Sequence, residues 1–319
     1  MKILITGVAG FIGFSIAKKL LLNKKNLVFG IDNFDNYYSV KYKKKRISTI
    51  IKNKNFYFNK IDIRDKKKIN DFFKKNYFDV IMHFAAQAGV RYSLKNPKKY
   101  IQVNKIGFNN ILDLIKKKPP QKIIYASSSS VYGDVKKFPT KENCKLNPNN
   151  IYARTKISNE KLAKIYKKKY KLNICGLRFF TVYGEWGRPD MFLFKLLKSY
   201  KNKKYFYLNN FGNHSRDFTY SSDVVKILSK LLKLKKFNFE IANVCNSKPV
   251  NIRDICNKFE KDYNFKSIKL VKKNKADVLN THGDNSKIKK ILRIKKFTSF
   301  DKGFKKTTNW YFRNSINKF

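Results

Sequence analysis

The chain contains few acidic residues and little arginine. Its 319 residues include 21 Asp and Glu against 73 Lys and Arg, a formal net charge of +52, and only 10 of those cations are arginine. Sequence-specific readers of nucleic acid rely on arginine, whose planar guanidinium pairs with guanine and phosphate. The lysines are spread along the chain beside abundant Asn, Ile, Phe and Tyr. We therefore interpret the charge as surface lysine that reflects an A- and T-rich base composition, and we predict no specific nucleic-acid partner.

Cysteine, histidine and long apolar runs are also scarce. The four cysteines lie far apart and form no Cys-x-x-Cys pair, which predicts buried, reduced thiols and excludes a disulfide framework. The three histidines have no metal-ligand spacing, so we expect no metal. There is no cleavable apolar leader, and no apolar run approaches the ~18 residues of a membrane helix. The expected location is the cytoplasm, without a membrane partner.

Short apolar runs alternate with helical patterns through the first part of the chain. Buried strands are predicted over Ile3–Thr6, Leu27–Ile31, Phe56–Ile61, Val80–Phe84, Lys122–Ala126 and Asn173–Leu177. Apolar residues at helical spacing predict helices over Ile12–Leu22, Lys67–Lys75, Tyr100–Lys117 and Tyr152–Lys169. Strand–helix alternation of this length is typical of an α/β fold with a Rossmann-type, doubly wound parallel sheet.

The alternation changes beyond about residue 180. The pieces that follow indicate a smaller mixed unit and lie at Asp190–Tyr200, Tyr205–Leu208, Asp223–Leu232, Glu240–Val244 and Ile252–Phe259. No Pro- or Ser-rich linker separates the two parts. We therefore predict a first domain over residues 1–178 and a smaller, interleaved C-terminal α/β domain over residues 179–319, some of whose segments return to the first.

A glycine-rich turn, Gly7-Val8-Ala9-Gly10-Phe11-Ile12-Gly13, follows the first predicted strand. Its glycines allow a tight turn and a close approach of backbone to a pyrophosphate, whose charge the following helix N-terminus favours. Asp32 ends the next strand, 19 residues after Gly13, where a carboxylate can accept hydrogen bonds from both ribose hydroxyls. Because this carboxylate would repel a 2′-phosphate, NAD is favoured over NADP. The basic run Lys41–Arg46 argues the other way, but we interpret it as an ordinary basic loop.

The second pattern is Tyr152-Ala153-Arg154-Thr155-Lys156, which follows helix-start residues. Residues four apart share one helical face, so the Lys156 ammonium can lie near the Tyr152 phenol. A phenol has a pKa of about 10, and a nearby ammonium and a positively charged nicotinamide would lower it towards the range of a useful base. Tyr-x-x-x-Lys is common by chance in a lysine-rich chain, so its value comes from its position after the glycine-rich turn.

Four hydroxyls, Ser127-Ser128-Ser129-Ser130, follow the predicted strand Lys122–Ala126. Ligands of doubly wound folds bind beyond the carboxyl ends of the strands, where these hydroxyls would be displayed. Their position within 30 residues of the Tyr152 and Lys156 pair favours a sugar-facing site over an ordinary polar turn.

These patterns resemble the extended short-chain dehydrogenases/reductases, and among them the UDP-glucuronate 4-epimerases, over nearly the whole chain. The segments that carry the resemblance are TGVAGFIG (6–13), GIDNFDNYY (30–38), HFAAQAGVRYSLKNP (83–97), YASSSSVYG (125–133), YARTK (152–156), GLRFFTVYGEWGRPDM (176–191) and RDFTY (216–220). The third and sixth segments are the most diagnostic, since they separate this family from other nucleotide-sugar enzymes. The resemblance implies an NAD-binding first domain and a nucleotide-sugar-binding second domain.

The resemblance also implies a mechanism. Tyr152, as phenolate, would remove the proton of the sugar 4-hydroxyl while hydride passes from C4 to a tightly held NAD+. Ser128 would hydrogen-bond the same oxygen, and Lys156 would hold the nicotinamide ribose. Return of hydride to the other face of the 4-keto sugar would invert C4. The implied cofactor-binding residues are Gly7, Gly10, Phe11, Ile12, Gly13, Asp32, Asn33, Asp62, Ile63, Phe84, Ala85, Ala86, Asn104, Tyr152 and Lys156.

For the substrate, the resemblance implies contacts to each part of a UDP-hexuronate. The residues nearest the hexuronate would be Ser128, Ser129, Ser130, Thr181 and Arg188. Arg216 would bind the diphosphate with charge-assisted hydrogen bonds, and Asp277 would contact the uridine ribose. The usual Pro-Gly before this Asp is Lys275-Ala276 in this chain. A homodimer is implied through the helices around residues 104–117 and 153–169.

Other functions stay open at this point. The 4,6-dehydratases carry Thr-Asp-Glu where this chain has Ser128-Ser129-Ser130, and UDP-glucuronate decarboxylases keep a Glu at the third of these positions. UDP-glucose/UDP-galactose epimerisation and an N-acetylated hexosamine or uronate substrate are compatible alternatives. A basic nucleic-acid-binding protein on a dinucleotide fold is the alternative from another class, and the retained Tyr152 and Lys156 argue against it.

Overall fold

The structure is a computed structural model, and it describes residues 1–116, 118–272 and 278–314. In chain order the strands are β1 Lys2–Thr6, β2 Leu27–Asp32, β3 Phe56–Lys60, β4 Val80–His83, β5 Lys122–Ser128, β6 Ile174–Phe179, β7 Thr181–Tyr183, β8 Phe206–Asn209, β9 Ser215–Tyr220, β10 Ile241–Val244, β11 Pro249–Asn251 and β12 Ile268–Val271. The α-helices are α1 Phe11–Leu20, α2 Val40–Ser48, α3 Lys66–Lys75, α4 Val90–Lys95, α5 Pro97–Tyr100, α6 Gly107–Ile115, α7 Ile151–Tyr170, α8 Phe192–Lys201, α9 Ser221–Lys233, α10 Ile252–Tyr263, α11 Ser286–Leu292 and α12 Phe300–Arg313. A π-helical segment, Ile101–Ile106, joins α5 to α6.

Seven parallel strands form the main sheet, in the order β10-β6-β5-β4-β1-β2-β3. The order runs outward from β1 in both directions, as in a Rossmann fold. This sheet confirms the predicted doubly wound α/β architecture. The six strands predicted before residue 180 are all present, with boundaries within two residues of the predicted ones.

Helices cover both faces of this sheet. Along β1, Ile3 and Ile5 belong to the same core as Phe14 of α1, whereas Leu4 belongs to the opposite core with Phe108 of α6. Successive strand residues point to opposite faces, so covering both faces requires continuously apolar strands. This explains why the strands of the main sheet could be predicted from short, unbroken apolar runs in the sequence.

The basic run Lys41–Arg46 forms most of α2, a helix that the sequence analysis did not predict. The Ser39 hydroxyl caps it by accepting a hydrogen bond from the Tyr42 backbone nitrogen (3.2 Å). Tyr42, Arg46 and Ile47 are buried on one helical face and hold the helix against the molecule. The interpretation of this run as an ordinary basic loop is therefore wrong.

The chain after β6 also forms a second sheet, β11-β9-β7, and a parallel pair of β12 with β8. Helices α8, α10 and α12 join these strands around a largely aromatic core, whose members include Phe194, Phe218, Phe259 and Tyr311. These elements form the smaller α/β part that the change of alternation indicated.

Two pieces expected in the smaller part lie on the main sheet instead. The piece predicted at Glu240–Val244 is β10, which pairs with β6 at the sheet edge, and α9 packs on α1. Ala242 and Val244 point to one face of β10 and Asn243 to the other, and all three are fully buried, so β10 needs cover on both faces, which this edge provides. The boundary between residues 178 and 179 stays a prediction.

In the described part of the chain, no helix is both long and apolar enough to cross a bilayer. The four cysteines are free thiols, and three of them, Cys175, Cys245 and Cys256, are buried.

Candidate active site

The turn between β1 and α1 requires glycine at two positions. Gly7 has a φ of +71°, a left-handed conformation that favours glycine. A Cβ on Gly7 would lie 2.6 Å from the Ala85 backbone nitrogen, and one on Gly13 would lie 2.3 Å from the Gly7 carbonyl oxygen. The turn therefore packs its bare backbone against the loop after β4 and against α1, as a pyrophosphate-binding turn does.

Asp32, the last residue of β2, is tied to this turn. One carboxylate oxygen accepts a hydrogen bond from the Ala9 backbone nitrogen (3.0 Å) and the other from the Phe34 backbone nitrogen (2.8 Å). Burial raises the pKa of Asp32, while the charges of Lys43 and Arg46 act in the opposite direction. The two cations of α2 thus lie near the carboxylate that was predicted to select NAD.

A cavity of about 420 Å³ extends from the turn to the ends of β5 and β7. The predicted cofactor residues that line it are Gly7, Gly10, Phe11, Ile12, Gly13, Asp32, Asn33, Asp62, Ile63, Phe84, Ala85, Ala86, Tyr152 and Lys156. The predicted substrate residues that line it are Ser128, Ser129, Ser130, Thr181, Arg188 and Arg216. Residues from distant parts of the sequence therefore face one space, as expected at the carboxyl ends of parallel strands.

Two predicted residues are not among those that line the cavity. Asn104, in the π-helical segment, is buried and holds the loop after β4: its carbonyl oxygen accepts from the Gln87 nitrogen (2.7 Å) and its amide donates to Thr155 (3.1 Å). Its polar atoms are engaged by protein, so its predicted role as a direct cofactor contact is corrected to one of support. Asp277 lies outside the described residues.

Tyr152 and Lys156 lie on the first turns of α7, whose start is capped by the Asn150 side chain. The Lys156 ammonium donates to the Ala126 carbonyl oxygen at the end of β5 (2.8 Å) and lies 5.8 Å from the centroid of the Tyr152 ring. Burial lowers the pKa of Lys156 to about 8, and the charge of Glu160 opposes this. The two side chains are therefore close, as the i,i+4 spacing predicted.

The pKa of Tyr152 depends on groups that the sequence did not indicate. Burial raises it, and the contributions that lower it are a hydrogen bond with Ser128 and the charge of Arg188, not Lys156. Removing the phenol from water disfavours the phenolate more than these groups favour it. In this structure the positive influence on Tyr152 comes from Arg188, a residue predicted only for substrate binding.

The serine cluster divides between two sides of β5. The Ser128 hydroxyl donates to the Ser130 hydroxyl (3.0 Å) and accepts from the Ser130 backbone nitrogen (3.1 Å), and both side chains line the cavity. The Ser127 hydroxyl instead donates to Glu160 of α7 (2.5 Å). Ser127 also borders the cavity, but its side chain points to the opposite face of β5 from that of Ser128, and Glu160 accepts its hydroxyl hydrogen. The hydroxyls of Ser128, Ser129 and Ser130 are therefore the three that Glu160 does not engage.

Arg188 reaches the cavity from the loop between β7 and α8, paired with an acid that the sequence analysis did not single out. Its guanidinium makes two hydrogen bonds to Asp190, at 3.0 and 2.5 Å. The Tyr37 hydroxyl donates to the same carboxylate (2.9 Å) and its ring lies 5.7 Å from the Arg188 guanidinium carbon. The Arg-x-Asp spacing could have suggested the ion pair, but Tyr37 is 153 residues away in sequence and carried no such indication.

Arg216 of β9 lines the far side of the cavity. Its guanidinium donates to the carbonyl oxygens of Val278 (2.7 Å) and Leu279 (2.8 Å), and so ties the loop before α11 to β9. The predicted diphosphate ligand is therefore also the side chain that positions the segment following Asp277.

Arg46 is a second residue that sequence reasoning missed. It is fully buried, and its guanidinium donates to the carbonyl oxygens of Ala9 (2.9 Å), Trp186 (2.5 Å) and Gly187 (3.1 Å). The first lies in the glycine-rich turn and the other two precede Arg188. Arg46 thus joins the predicted cofactor side of the cavity to the predicted substrate side.

A sequence profile of the NAD dependent epimerase/dehydratase family matches residues 3–245. The chain belongs to this family. It is 44% identical over 317 residues to an uncharacterised protein of Methanocaldococcus jannaschii, covering 98% of this chain and 97% of that one. It is 37% identical over 310 residues to a UDP-glucuronate 4-epimerase of Thermodesulfobacterium geofontis, covering 96% and 95% of the two chains.

A solved structure also matches the fold of this epimerase/dehydratase family member over nearly its whole length. The crystal structure of UDP-glucuronic acid 4-epimerase from Bacillus cereus, in complex with UDP-glucuronic acid and NAD, superposes with a TM-score of 0.92 at 31% identity and covers 98% of this chain and 99% of that one. The predicted resemblance is therefore confirmed. The family profile ends one residue after β10, so it spans every strand of the main sheet and leaves out the C-terminal segments around Asp277.

Proposed function

We propose that this protein is an NAD-dependent epimerase that inverts C4 of UDP-glucuronate to give UDP-galacturonate. The observation that carries the proposal is the meeting, in one cavity, of the glycine-rich turn, the Tyr152 and Lys156 pair, and a hydroxyl cluster with Arg188. Relatives named UDP-glucuronate 4-epimerase, similar to this chain along nearly its whole length, support the same activity.

The shape of the turn supports a dinucleotide ligand. A side chain at Gly7 would collide with the backbone of Ala85, so only bare backbone fits this part of the cavity wall. We propose that Gly7, Gly10 and Gly13 hold the pyrophosphate at the start of α1 and that Asp32 accepts hydrogen bonds from the adenosine ribose. Bound NAD+ would supply a hydride acceptor and, after reduction, a hydride donor at C4 of the sugar.

The proton chemistry is assigned to Tyr152. Its phenolate would take the proton of the 4-hydroxyl as C4 is oxidised and return it to the oxygen of the opposite epimer, so no net redox change occurs. The Ser128 hydroxyl, which lowers the pKa of Tyr152 against the effect of burial, would contact the same sugar oxygen. Lys156 would keep a positive charge beside the phenolate and hold the nicotinamide ribose.

The substrate side supports a hexuronate. Ser129, Ser130, Thr181 and Arg188 offer hydroxyl donors and a cation to a carboxylate, and the hydroxyl cluster contains no carboxyl group of the kind that dehydratases and decarboxylases use. A 4-keto uronate is a β-keto acid that loses carbon dioxide readily, so the site must hold the carboxylate and return hydride quickly. Arg216 would bind the diphosphate, and Asp277 stays the predicted ribose contact.

The proposal also includes a location in the cell and an oligomeric state. The protein would act in the cytoplasm, and it would form a homodimer through the helices around residues 104–117 and 153–169. Large apolar side chains exposed on these elements, Ile106 and Ile165, support the dimer. Sedimentation velocity tests it directly.

The activity is tested by incubating the purified protein with UDP-glucuronate and identifying the product by NMR. We expect UDP-galacturonate, and we expect Tyr152→Phe to lower the rate by about 10²-fold or more, because general acid–base catalysis contributes that much. Tyr170→Phe, at the far end of the same helix, is the matched control and should leave the rate unchanged. Turnover of UDP-glucose without turnover of UDP-glucuronate would reject the proposed substrate. Full activity of Tyr152→Phe would reject the proposed base.

A further inference from the structure

A buried ion pair lies on the side of β5 that faces away from the cavity. Arg178 of β6 donates twice to Glu160 of α7, at 2.9 and 2.7 Å, and the two side chains are 5% and 9% exposed. The Ser127 hydroxyl donates to the same carboxylate at 2.5 Å. Removing a carboxylate and a guanidinium from water is costly, and such a pair often contributes little net stability. Stability alone therefore gives little reason for its position.

The position of Glu160 relative to Lys156 suggests another reason. The two residues are one turn apart on α7, and they hold neighbouring residues of β5: Lys156 donates to the Ala126 carbonyl oxygen, and Glu160 accepts from the Ser127 hydroxyl. Two side chains in adjacent turns of α7 thus attach this helix to the end of β5, from which the serine cluster begins. One is the Lys156 ammonium and the other is the Glu160 carboxylate.

The charged and titratable groups around Lys156 come from three elements. On its own helix these are Tyr152 and Glu160. From β4 it is His83, whose pKa burial lowers to about 3, so that it carries no charge at neutral pH. From β6 it is Arg178, which is paired with the Glu160 carboxylate. Burial lowers the pKa of Lys156 to about 8. In the described part of the chain, Glu160 is the carboxylate whose charge opposes this effect of burial.

Glu160 also borders a second cavity, which is lined by other charged side chains. A second cavity of about 430 Å³ contains Glu160 and Arg178 in its wall, and the other charged side chains that line it are Glu142, Glu240, Lys161, Lys164, Lys167 and Lys287. Several of these are engaged at the rim: Lys164 pairs with Glu240 at 3.6 Å, and Lys287 donates to the Ile241 carbonyl oxygen. Rim charges of this kind are screened by solvent more strongly than the Glu160 carboxylate, because the Lys164 and Glu240 side chains are 71% and 48% exposed and that of Glu160 is 9% exposed.

We propose that Glu160 is a positioning residue for Lys156: its buried carboxylate keeps the lysine protonated at neutral pH, and Arg178 limits this effect by sharing the same carboxylate. The proposal rests on the proposed function, because it assigns Lys156 a role as a cation in the active site. The pair Glu160–Arg178 then sets the pH at which Lys156 loses its charge, and with it the upper pH limit of activity.

Two variants that break the same ion pair give opposite predictions. Glu160→Gln keeps an acceptor for Ser127 but removes the negative charge and leaves Arg178, so Lys156 should lose its proton at a lower pH. Arg178→Gln leaves the Glu160 charge unshared, so Lys156 should lose its proton at a higher pH. We expect the alkaline limb of kcat/KM for UDP-glucuronate to move by roughly one pH unit in each direction, the size of shift that one nearby charge produces. A purely structural ion pair would affect both variants alike.

Direct titration of Lys156 separates this proposal from the proposed function. In protein labelled with ¹³C at the lysine Cε, the resonance that titrates near pH 8 is assigned by its absence in Lys156→Met. We expect its midpoint to fall in Glu160→Gln and to rise in Arg178→Gln. In the double variant the midpoint should lie between these two values. The double variant leaves no unpaired buried charge, so it can be measured even if either single variant folds poorly. Shifts of the same sign, or no shift, would overturn the proposal. If the wild-type enzyme left UDP-glucuronate unchanged while the midpoints shifted as expected, only the proposed function would fail.

Discussion

The two sides of the cavity are built in different ways. The part of the proposed cofactor side that would hold the pyrophosphate consists mainly of backbone that is close in sequence, the turn from Gly7 to Gly13, with the Asp32 carboxylate hydrogen-bonded to it. The proposed substrate side consists of side chains that come from distant segments, such as Arg188 with Asp190 and Tyr37, and Arg216 with the loop at Val278. Local backbone geometry fixes the first side, and long-range hydrogen bonds fix the second.

The difference predicts how each side tolerates change. A backbone site fails when a side chain is added to it, because the collision is with main-chain atoms that cannot move alone. A site made of side-chain networks loses function in steps, one hydrogen bond at a time, because each remaining partner still restrains the others. The following variants test this contrast.

The largest effect is expected from Gly7→Ala. The added Cβ would lie 2.6 Å from the Ala85 nitrogen, and the φ of +71° is unfavourable for alanine. Movement of the turn by about 1 Å should lower kcat/KM by about 10²-fold. Calorimetry should show a matching loss of NAD+ affinity. Gly10→Ala is the matched control, since its φ is negative and its nearest contact is at 3.0 Å, and it should lose much less. Equal losses in the two variants would contradict the role of backbone geometry at Gly7.

A smaller effect, on both sides at once, is expected from Arg46→Met. The change removes charged hydrogen bonds to carbonyl oxygens of the glycine-rich turn and of the segment before Arg188. Hydrogen bonds to charged groups contribute about 1.5–3 kcal/mol each, so we expect urea unfolding to show a loss of about 3 kcal/mol. NAD+ affinity and the KM for UDP-glucuronate should worsen together. Lys45→Met, at an exposed position of α2, is the control. A change confined to one ligand would show that Arg46 does not join the two sides.

The same contrast explains what the sequence could predict. Buried parallel strands are continuous apolar runs, and the glycine-rich turn and the Tyr152 to Lys156 spacing are local patterns, so these features were readable without the structure. Helix α2 was not, because lysine at its exposed positions hides the spacing of Tyr42, Arg46 and Ile47. The hydrogen bonds of Tyr37 to Asp190 and of Arg46 to Trp186 and Gly187 could not be predicted either, because no local pattern encodes a hydrogen bond between residues 140 or more positions apart.

Burial is the other quantity that the sequence did not provide. The i,i+4 spacing placed Lys156 near Tyr152, but the direction of the Tyr152 pKa depends on how completely the phenol is removed from water, and burial prevails over the nearby positive charge. In the same way, four consecutive serines look equivalent in sequence, and all four border the cavity, whereas the Ser127 hydroxyl is the one that donates to Glu160.

The smallest effect is expected from Tyr37→Phe, which removes one hydrogen bond from the substrate side. Burial and the Asp190 charge raise the pKa of Tyr37 to about 12, so its hydroxyl stays a donor to Asp190 throughout the working pH range. Losing about 1 kcal/mol of restraint on Asp190, and through it on Arg188, should raise the KM for UDP-glucuronate about fivefold. NAD+ affinity should stay unchanged, because the turn and Asp32 do not depend on this hydroxyl. Tyr57→Phe, on the exposed part of β3, is the control. A loss of NAD+ affinity in Tyr37→Phe would mean that Tyr37 couples the two sides of the cavity as strongly as Arg46 does. The contrast between the cofactor side and the substrate side would then not hold.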